Sequence, residues 1–387
     1  ENIFNYIFLE VLFLKKFKVL SVFGTRPEGI KMAPLVKRLE KHPYIESIFV
    51  NTGQHKEQLD QVLDLFDLNP KYSLNIMLNR PRLENIFSII FTEFSKILDI
   101  EKPDVVLVHG DTATTLASAQ CAFFKQIPVA HIEAGLRTRE MYSPFPEEMN
   151  RQLVSRITDF HFVPTLQNKS NLEKECLNSE KIFIVGNTGI DALLNKKKTE
   201  RQTSKIVEKI ISKKKKKIIL TTHRRENFDD MKNIFEAINE IIVKVPDCEI
   251  IFPAHLNPIV RQNISNHLIS NERIKIIEPL DYYDFVQLLK HSYCILTDSG
   301  GIQEEAPALK KPVLVLRNST ERIEGINSGN LYLAGTNKEK IVSATLKLCN
   351  DTDFYNSFSL EANPFGTGNT SELIIEHLIQ ILNMSKE

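Results

Sequence analysis

The side chains able to move protons fall into a few short clusters. Asp111 in VHGD, Glu133 in HIE, Glu147 in SPFPEE and His223 in TTHRRE supply candidate acids and bases. Carboxylates following apolar runs or held in a Pro-framed loop suit general acid–base work. A second chemistry is written in Thr297-Asp298-Ser299-Gly300-Gly301-Ile302-Gln303-Glu304-Glu305. There an apolar run ends, a hydroxyl residue can cap a helix, and two glycines let backbone N–H groups approach an anion. That is a phosphate seat built from a helix N-terminus. Glu305, about one turn into that helix, can accept two hydrogen bonds from a vicinal diol such as ribose. Arg26 and Lys31 flank another turn, RPEGIK, where cations serve a pyrophosphate or a sugar. Its glycines do not form GxGxxG, and GxxxxGK[ST] occurs nowhere, so dinucleotide and P-loop readings lose their main support. His109-Gly-Asp111 and His131-Ile-Glu133 repeat histidine and carboxylate at metal-like spacing. These pairs straddle strand ends, and no HExxH or Cys/His cluster accompanies them, so no metal is expected. His109 and His131 are expected to be buried, hydrogen-bonded histidines.

The elements that must position these residues are short apolar runs alternating with helical patterns. The runs are FKVLSVF (17–23), DVVLVHG (104–110), IPVAHIE (127–133), KIFIVGN (181–187), KIILTTH (217–223), EIIFPAH (249–255), YCILTD (293–298) and PVLVLR (312–317). Such runs predict parallel strands buried on both faces, and their alternation with helices predicts βαβ units in an open, doubly wound sheet. The number of runs exceeds one sheet, so two α/β domains are expected, with a boundary just before or within 165–190. Nearly every polar cluster follows the C-terminal end of a run, where open α/β sheets bind ligands, and two such edges suggest one shared cleft. SELIIEHLIQILNM (371–384) predicts a final amphipathic helix. Lys196–Lys198 and Lys213–Lys217 are expected to form a solvated helix face and loop, with Glu200 and Glu208 nearby.

Composition limits the function classes. The chain has 387 residues, 42% hydrophobic and 25% charged, a mix typical of a globular protein with a sizeable core. Lys+Arg 49 against Asp+Glu 49 argues against a generally basic nucleic-acid binder. The longest apolar stretch, ENIFNYIFLEVLFL (1–14), is interrupted by Glu10 and falls short of the ~20 residues of a membrane span. Its positive charge follows rather than precedes it, the reverse of a secretory signal, so residues 1–16 are expected to be an extension outside the domains. Five scattered cysteines, never in CxxC, suggest reduced thiols in a cytoplasmic protein.

FGTRPEGIKMAPL, TGQH, VHGDTATTLASA, HIEAGLRT, PFPEEMNR, GNTGIDAL, THRREN, DSGGIQEEAP and PVLVLRNSTERIEG resemble the non-hydrolysing UDP-N-acetylglucosamine 2-epimerases, in that family's order from about Lys18 onward. The resemblance implies two Rossmann-like, doubly wound domains facing a central cleft, of the glycosyltransferase-B type. Residues 17–180 would form the first domain, with 366–387 packing back on it, and 181–365 the second, UDP-binding domain. It implies a cytoplasmic homodimer that needs no NAD or metal. The reaction implied is reversible interconversion of UDP-N-acetylglucosamine and UDP-N-acetylmannosamine for bacterial surface polysaccharide. By motif match Asp111, Glu133, Glu147 and His223 correspond to catalytic positions. Arg26, His255, Ser299, Gly300 and Glu305 correspond to the UDP site, with Lys31 and Gly301 beside them and Phe285 near the uracil. Gln54 and His55, with Arg80, correspond to a second, regulatory site for the substrate. Three alternatives remain open. An epimerase of a diacetamido-uronic acid would need a further cation, Arg80 or Arg137; the others are a retaining glycosyltransferase and a non-catalytic nucleotide-sugar sensor.

Overall fold

The computed structural model describes residues 16–54, 56–76, 82–142, 144–194, 202–358 and 363–384. The chain divides into a first unit, running to Asn195 and resuming at Gly366, and a second unit, Lys196–Phe365.

The first unit is built on β1 (Phe17–Phe23), β2 (Ile45–Asn51), β3 (Tyr72–Ser73), β4 (Val105–His109), β5 (Val129–Ile132), β6 (Phe160–Val163) and β7 (Ile182–Ile184). They pair in the order β3-β2-β1-β4-β5-β6-β7, each pair parallel. The central strands are apolar on both sides because helices cover both faces. Leu20, Val22, Val106 and Val108 pack against Ile90, Phe94 and Leu116 from two of those helices. Phe23 and Phe49 stack with ring centroids 4.2 Å apart. Each such side chain contributes roughly 1.5–3 kcal/mol on full burial.

The second unit repeats the plan with β8 (Lys216–Thr221), β9 (Cys248–Pro253), β10 (Ile274–Ile277), β11 (Cys294–Thr297), β12 (Val313–Val315) and β13 (Leu331–Leu333). Their order is β10-β9-β8-β11-β12-β13, again all parallel. Both sheets therefore carry the Rossmann order 3-2-1-4-5-6, with β7 added in the first. The Met231–Lys244 helix places Ile234, Phe235, Ile238, Ile241 and Ile242 at helical spacing, and all five are fully buried.

All eight expected runs contain strands. β2, β3, β6, β10 and β13 were not among them. Polar residues interrupt β2 (IESIFVN) and β6 (FHFV), β3 has two residues, and β13 buries only Leu331 of its three. The domain boundary also shifts. Ile182, Phe183 and Ile184 pair with His161, Phe162 and Val163 of β6, so residues 181–194 belong to the first unit. The C-terminal helix, Thr370–Met384, groups with the first unit too. Asp191 accepts hydrogen bonds from Thr370 N (3.1 Å) and Ser371 N (2.7 Å), placing a carboxylate on that helix's N-terminus.

The lysine clusters need correction. Lys216 and Lys217 open β8, and the counterions are Glu249, 3.3 Å from Lys213, and Asp247, 3.2 Å from Lys216. Lys196–Lys198 and Glu200 lie outside the described residues, as does the extension through residue 15. Cys121, Cys248 and Cys294 are buried thiols, Cys349 is half-buried and Cys176 exposed. Among the described residues no helix is long and apolar enough to cross a membrane.

Candidate active site

In the first unit the acid–base candidates converge. β4 ends at His109, Gly110 turns the chain with φ +68°, and Asp111 follows. β5 ends at Ile132, and Glu133 adopts φ +64°, a left-handed conformation that costs a non-glycine residue of order 1–3 kcal/mol. Glu147 opens the Glu147–Ile157 helix. All three carboxylates line one cavity of about 340 Å³, together with Glu28, Lys31, Gln54 and His109. Lys31 and Glu133 form an ion pair through Oε1, while Glu133 Oε2 lies 3.5 Å from His109 Nε2. Asp111 Oδ2 accepts from Arg151 Nε (2.9 Å) and lies 2.7 Å from its Nη2. Burial pushes the Asp111 carboxyl up against the pull of that guanidinium. Arg151 also reaches buried Glu148 at 3.1 Å, which accepts from Thr138 N and Arg139 N at 3.0 and 3.1 Å. Glu147 Oε2 is buried with no hydrogen-bond partner.

Three residues here were outside the sequence expectation as site residues. Glu28 Oε2 accepts from Gly24 N (3.1 Å) and Thr25 N (2.8 Å), and its Oε1 from Thr112 Oγ1 (2.6 Å) and Thr115 Oγ1 (3.3 Å). It therefore ties the β1 turn to the loop bearing Asp111. Its signal was the capping box Thr25-Arg26-Pro27-Glu28. Arg151 was legible as a cation one helical turn beyond Glu147 and Glu148. His109 corrects an expectation. It is 3% exposed as anticipated, yet neither ring nitrogen has a hydrogen-bond partner. His131 does match, with Nε2 2.7 Å from Gly110 O. Burial lowers His109 to about 4 and His131 to about 3, so both are neutral near pH 7.

Arg26 is half-buried in the first turn of the Arg26–Lys41 helix. Gln54 lines the cavity and accepts from Thr114 Oγ1 at 3.1 Å. His55 and Arg80 lie outside the described residues. Arg137, one of the two cations weighed for a uronate, is committed elsewhere. Its Nε and Nη2 bond Glu175 at 2.7 and 3.0 Å and its side chain is 1% exposed.

The second unit gathers a different set. Buried Asp298, just after β11, accepts at Oδ2 from Thr222 Oγ1 (3.0 Å), His223 N (2.8 Å) and Arg224 N (2.9 Å). Its Oδ1 is 3.3 Å from His223 Nδ1, and the His223 ring stacks on His255 with centroids 5.4 Å apart. Burial lowers His223, with Asp298 pulling the other way. Ser299 occupies the N-cap of the Gly300–Ala308 helix but makes no side-chain capping bond, contrary to the expected cap. A Cβ at Gly300 would sit 2.8 Å from the Arg322 guanidinium carbon, whereas one at Gly301 would meet nothing within 4 Å. The two glycines thus differ: only at the first would a Cβ displace a neighbour, the ion-paired Arg322 guanidinium. Arg322 bonds Glu304 through Nε at 2.9 Å and pairs with Glu321. Burial raises Glu321, but Arg322 and Arg317 outweigh it and hold the carboxyl down at about 2. Glu305 lies in the second turn of the same helix and its charge reaches the buried Tyr282 hydroxyl. Phe285 is half-buried against the cluster containing Ile219 and Leu288. Among the described residues no three His, Cys, Asp or Glu side chains are grouped to hold a metal.

These two clusters can supply proton transfer and anion binding respectively, and comparisons with known proteins show which family the chain resembles. A family model described as UDP-N-acetylglucosamine 2-epimerase matches residues 37–379. The Bacillus subtilis (strain 168) UDP-N-acetylglucosamine 2-epimerase is 48% identical over 375 residues, 97% of this chain and 98% of that protein. The crystal structure of the Neisseria meningitidis UDP-GlcNAc 2-epimerase bound to UDP-GlcNAc is similar with a TM-score of 0.86, at 45% identity, over 94% of this chain and 100% of that one. The Methanocaldococcus jannaschii enzyme in complex with UDP-GlcNAc and UDP gives a TM-score of 0.78 at 40% identity, over 94% of this chain and 100% of that chain.

Proposed function

The chain belongs to the UDP-N-acetylglucosamine 2-epimerase family and is an isomerase, and from that premise we propose how its own residues invert C2 of UDP-N-acetylglucosamine. The C2 proton is barely acidic, because C2 bears an amide nitrogen and has no neighbouring ketone. Elimination solves this. A carboxylate takes the C2 proton, the C–H electrons form the C1–C2 double bond, and the C1–O bond breaks with its pair leaving on UDP. The resulting 2-acetamidoglucal is protonated at the opposite face of C2 while UDP adds back to C1, giving UDP-N-acetylmannosamine. Two proton-transfer groups, one for each face, are needed. The observation that carries this reading is the convergence of Asp111, Glu133 and Glu147 on one cavity with Lys31.

UDP needs stabilisation as it departs. Arg26, the Ser299 hydroxyl, the N–H groups of Gly300 and Gly301, and the His223–His255 pair serve the diphosphate, Glu305 the ribose and Phe285 the uracil. The uncapped helix start supports that assignment: the Ser299 hydroxyl makes no capping bond, and the first N–H groups of an α-helix have no partner within it. Asp298 orients the His223 ring toward the departing diphosphate, its part in catalysis. Gln54, in the same cavity as the acids, serves a second UDP-N-acetylglucosamine molecule that favours the active state. The enzyme works as a cytoplasmic homodimer supplying bacterial surface polysaccharide. The test is incubation with UDP-N-acetylglucosamine in deuterium oxide without added cofactor, followed by NMR. Deuterium at C2 of recovered substrate and product is expected; incorporation at C3, or activity only with added NAD, would refute the elimination route.

A further inference from the structure

We infer that His109 is a positioning residue for Glu133: in the substrate complex its imidazole hydrogen-bonds the carboxylate oxygen Oε2, opposite the Oε1 held by Lys31, and so fixes the plane of the carboxylate for C2. The inference rests on the acid–base reading of the cavity given above. His109 is the last residue of β4, lines that cavity and is almost fully buried. Both of its ring nitrogens lack a partner, which costs a buried polar group about 1–3 kcal/mol. The nearest charged oxygen is Glu133 Oε2 at 3.5 Å, slightly too long for a hydrogen bond. Catalytic hydrogen bonds are often long without substrate and tighten in the complex.

The niche around Oε2 is narrow on its other side too. A Cβ at Gly110 would stand 3.3 Å from that oxygen, and Gly110 already needs a positive φ. The residue beside His109 is therefore one that leaves the carboxylate room to meet the imidazole. The titratable and charged groups facing the ring are Glu133, Lys31 and His131. Burial keeps the ring neutral, and Lys31 adds to that effect against the opposing pull of Glu133. Neutrality matters because a neutral imidazole can orient a carboxylate with one N–H without cancelling its charge. An imidazolium in that place, added to Lys31, would make a poor base of Glu133.

Two variants separate positioning from packing. His109→Phe keeps the ring volume and removes the donor, whereas His109→Gln returns an amide N–H near the Nε2 position. In His109→Phe, kcat should fall about 10²-fold, as for a misplaced reacting group, with KM little changed. The acid limb of its kcat profile should move to higher pH, because the ionised carboxylate has lost a hydrogen bond. His109→Gln should recover most of the rate and the wild-type limb. Wild-type turnover in His109→Phe would overturn the inference, as would equal loss in both variants with the limb unmoved. Should His109→Phe fail to fold, the ring nitrogens of wild-type His109 decide by NMR. A neutral ring whose Nε2 signal moves on adding UDP-N-acetylglucosamine supports the assignment, and a protonated or unresponsive ring overturns it. Wild-type protein run alongside keeps the two questions apart. No C2 deuterium in the wild type refutes the epimerisation reading, whereas exchange in wild type and His109→Phe at equal rates refutes only the role of His109.

Discussion

The two units share a strand order and differ in what they hang from it. The first unit's strand ends carry Asp111, Glu133 and buried neutral histidines. The second unit's strand ends carry His223 on a buried carboxylate, an uncapped helix start, and arginines neutralised by Glu304 and Glu321. Under the proposed roles one scaffold serves two jobs. A parallel sheet fixes where the loops emerge, and the residues just beyond each strand decide whether the site moves protons or holds an anion.

The sharpest way to break that division is to remove proton transfer from the first unit. Glu133→Gln or Asp111→Asn should lower kcat by about 10²–10⁴-fold while UDP affinity stays near the wild-type value, measured by calorimetry. A large loss of UDP binding in either variant would erase the proposed division of labour. Acid stability offers a second test. His109, His131 and His161 are lowered to about 4, 3 and 4 by burial, from the ordinary 6.5. The unfolded chain takes up protons below pH 6.5 and these folded sites do not, so stability is complete above 6.5 and falls with pH toward about 3–4. For Glu321, with its folded value about 2 against 4.5, stability is complete above 4.5 and lost as pH falls toward 2. His223 adds a smaller effect of the histidine sign to the second unit. The raised Glu28 and Asp111 carboxyls oppose this, since they bind protons in the folded state. With three lowered histidines against one, hydrogen exchange corrected for intrinsic rates should still show peptides of the first unit losing protection first between pH 6.5 and 4.5. Equal loss in both units would contradict this.

Ser299→Ala should weaken UDP binding about tenfold, the scale of one hydrogen bond to a charged group. Because the Ser299 hydroxyl caps nothing, the thermal midpoint should stay put, where a lost N-cap would cost about 0.5–2 kcal/mol. A stability loss with unchanged binding would reverse the assignment. The smallest effect is expected at Gln54. Wild-type forward kinetics should be sigmoidal, and Gln54→Ala should make them hyperbolic with kcat little changed. Hyperbolic wild-type kinetics would remove the second substrate site, since a ligand with equal affinity for both states shifts nothing.

How much was legible from residues alone differed by element. The strands buried on both faces, such as FKVLSVF and DVVLVHG, announced themselves, because burial on two sides leaves no polar alternation to blur the signal. Edge strands such as β3 and β13 did not, being short and only partly covered. The acids Asp111, Glu133 and Glu147 were legible as types following strands. That they share one cavity was not, since Asp111 and Glu147 are 36 residues apart and meet only through the turn geometry of Gly110 and the helix that carries Arg151.

Composition, the βα alternation and the motif wording determined the fold class, the nucleotide-sugar chemistry and the residues to suspect, because each is carried by local runs of side chains. The tertiary structure decided what local runs cannot hold. It assigned β7 to the first unit through its pairing with β6, tied up Arg137 with Glu175, and left the Ser299 cap unused. It also set a neutral, unpartnered His109 against Glu133. Pairing, burial and charge neutralisation depend on what other segments bring alongside a residue, and that information exists only once the chain has folded.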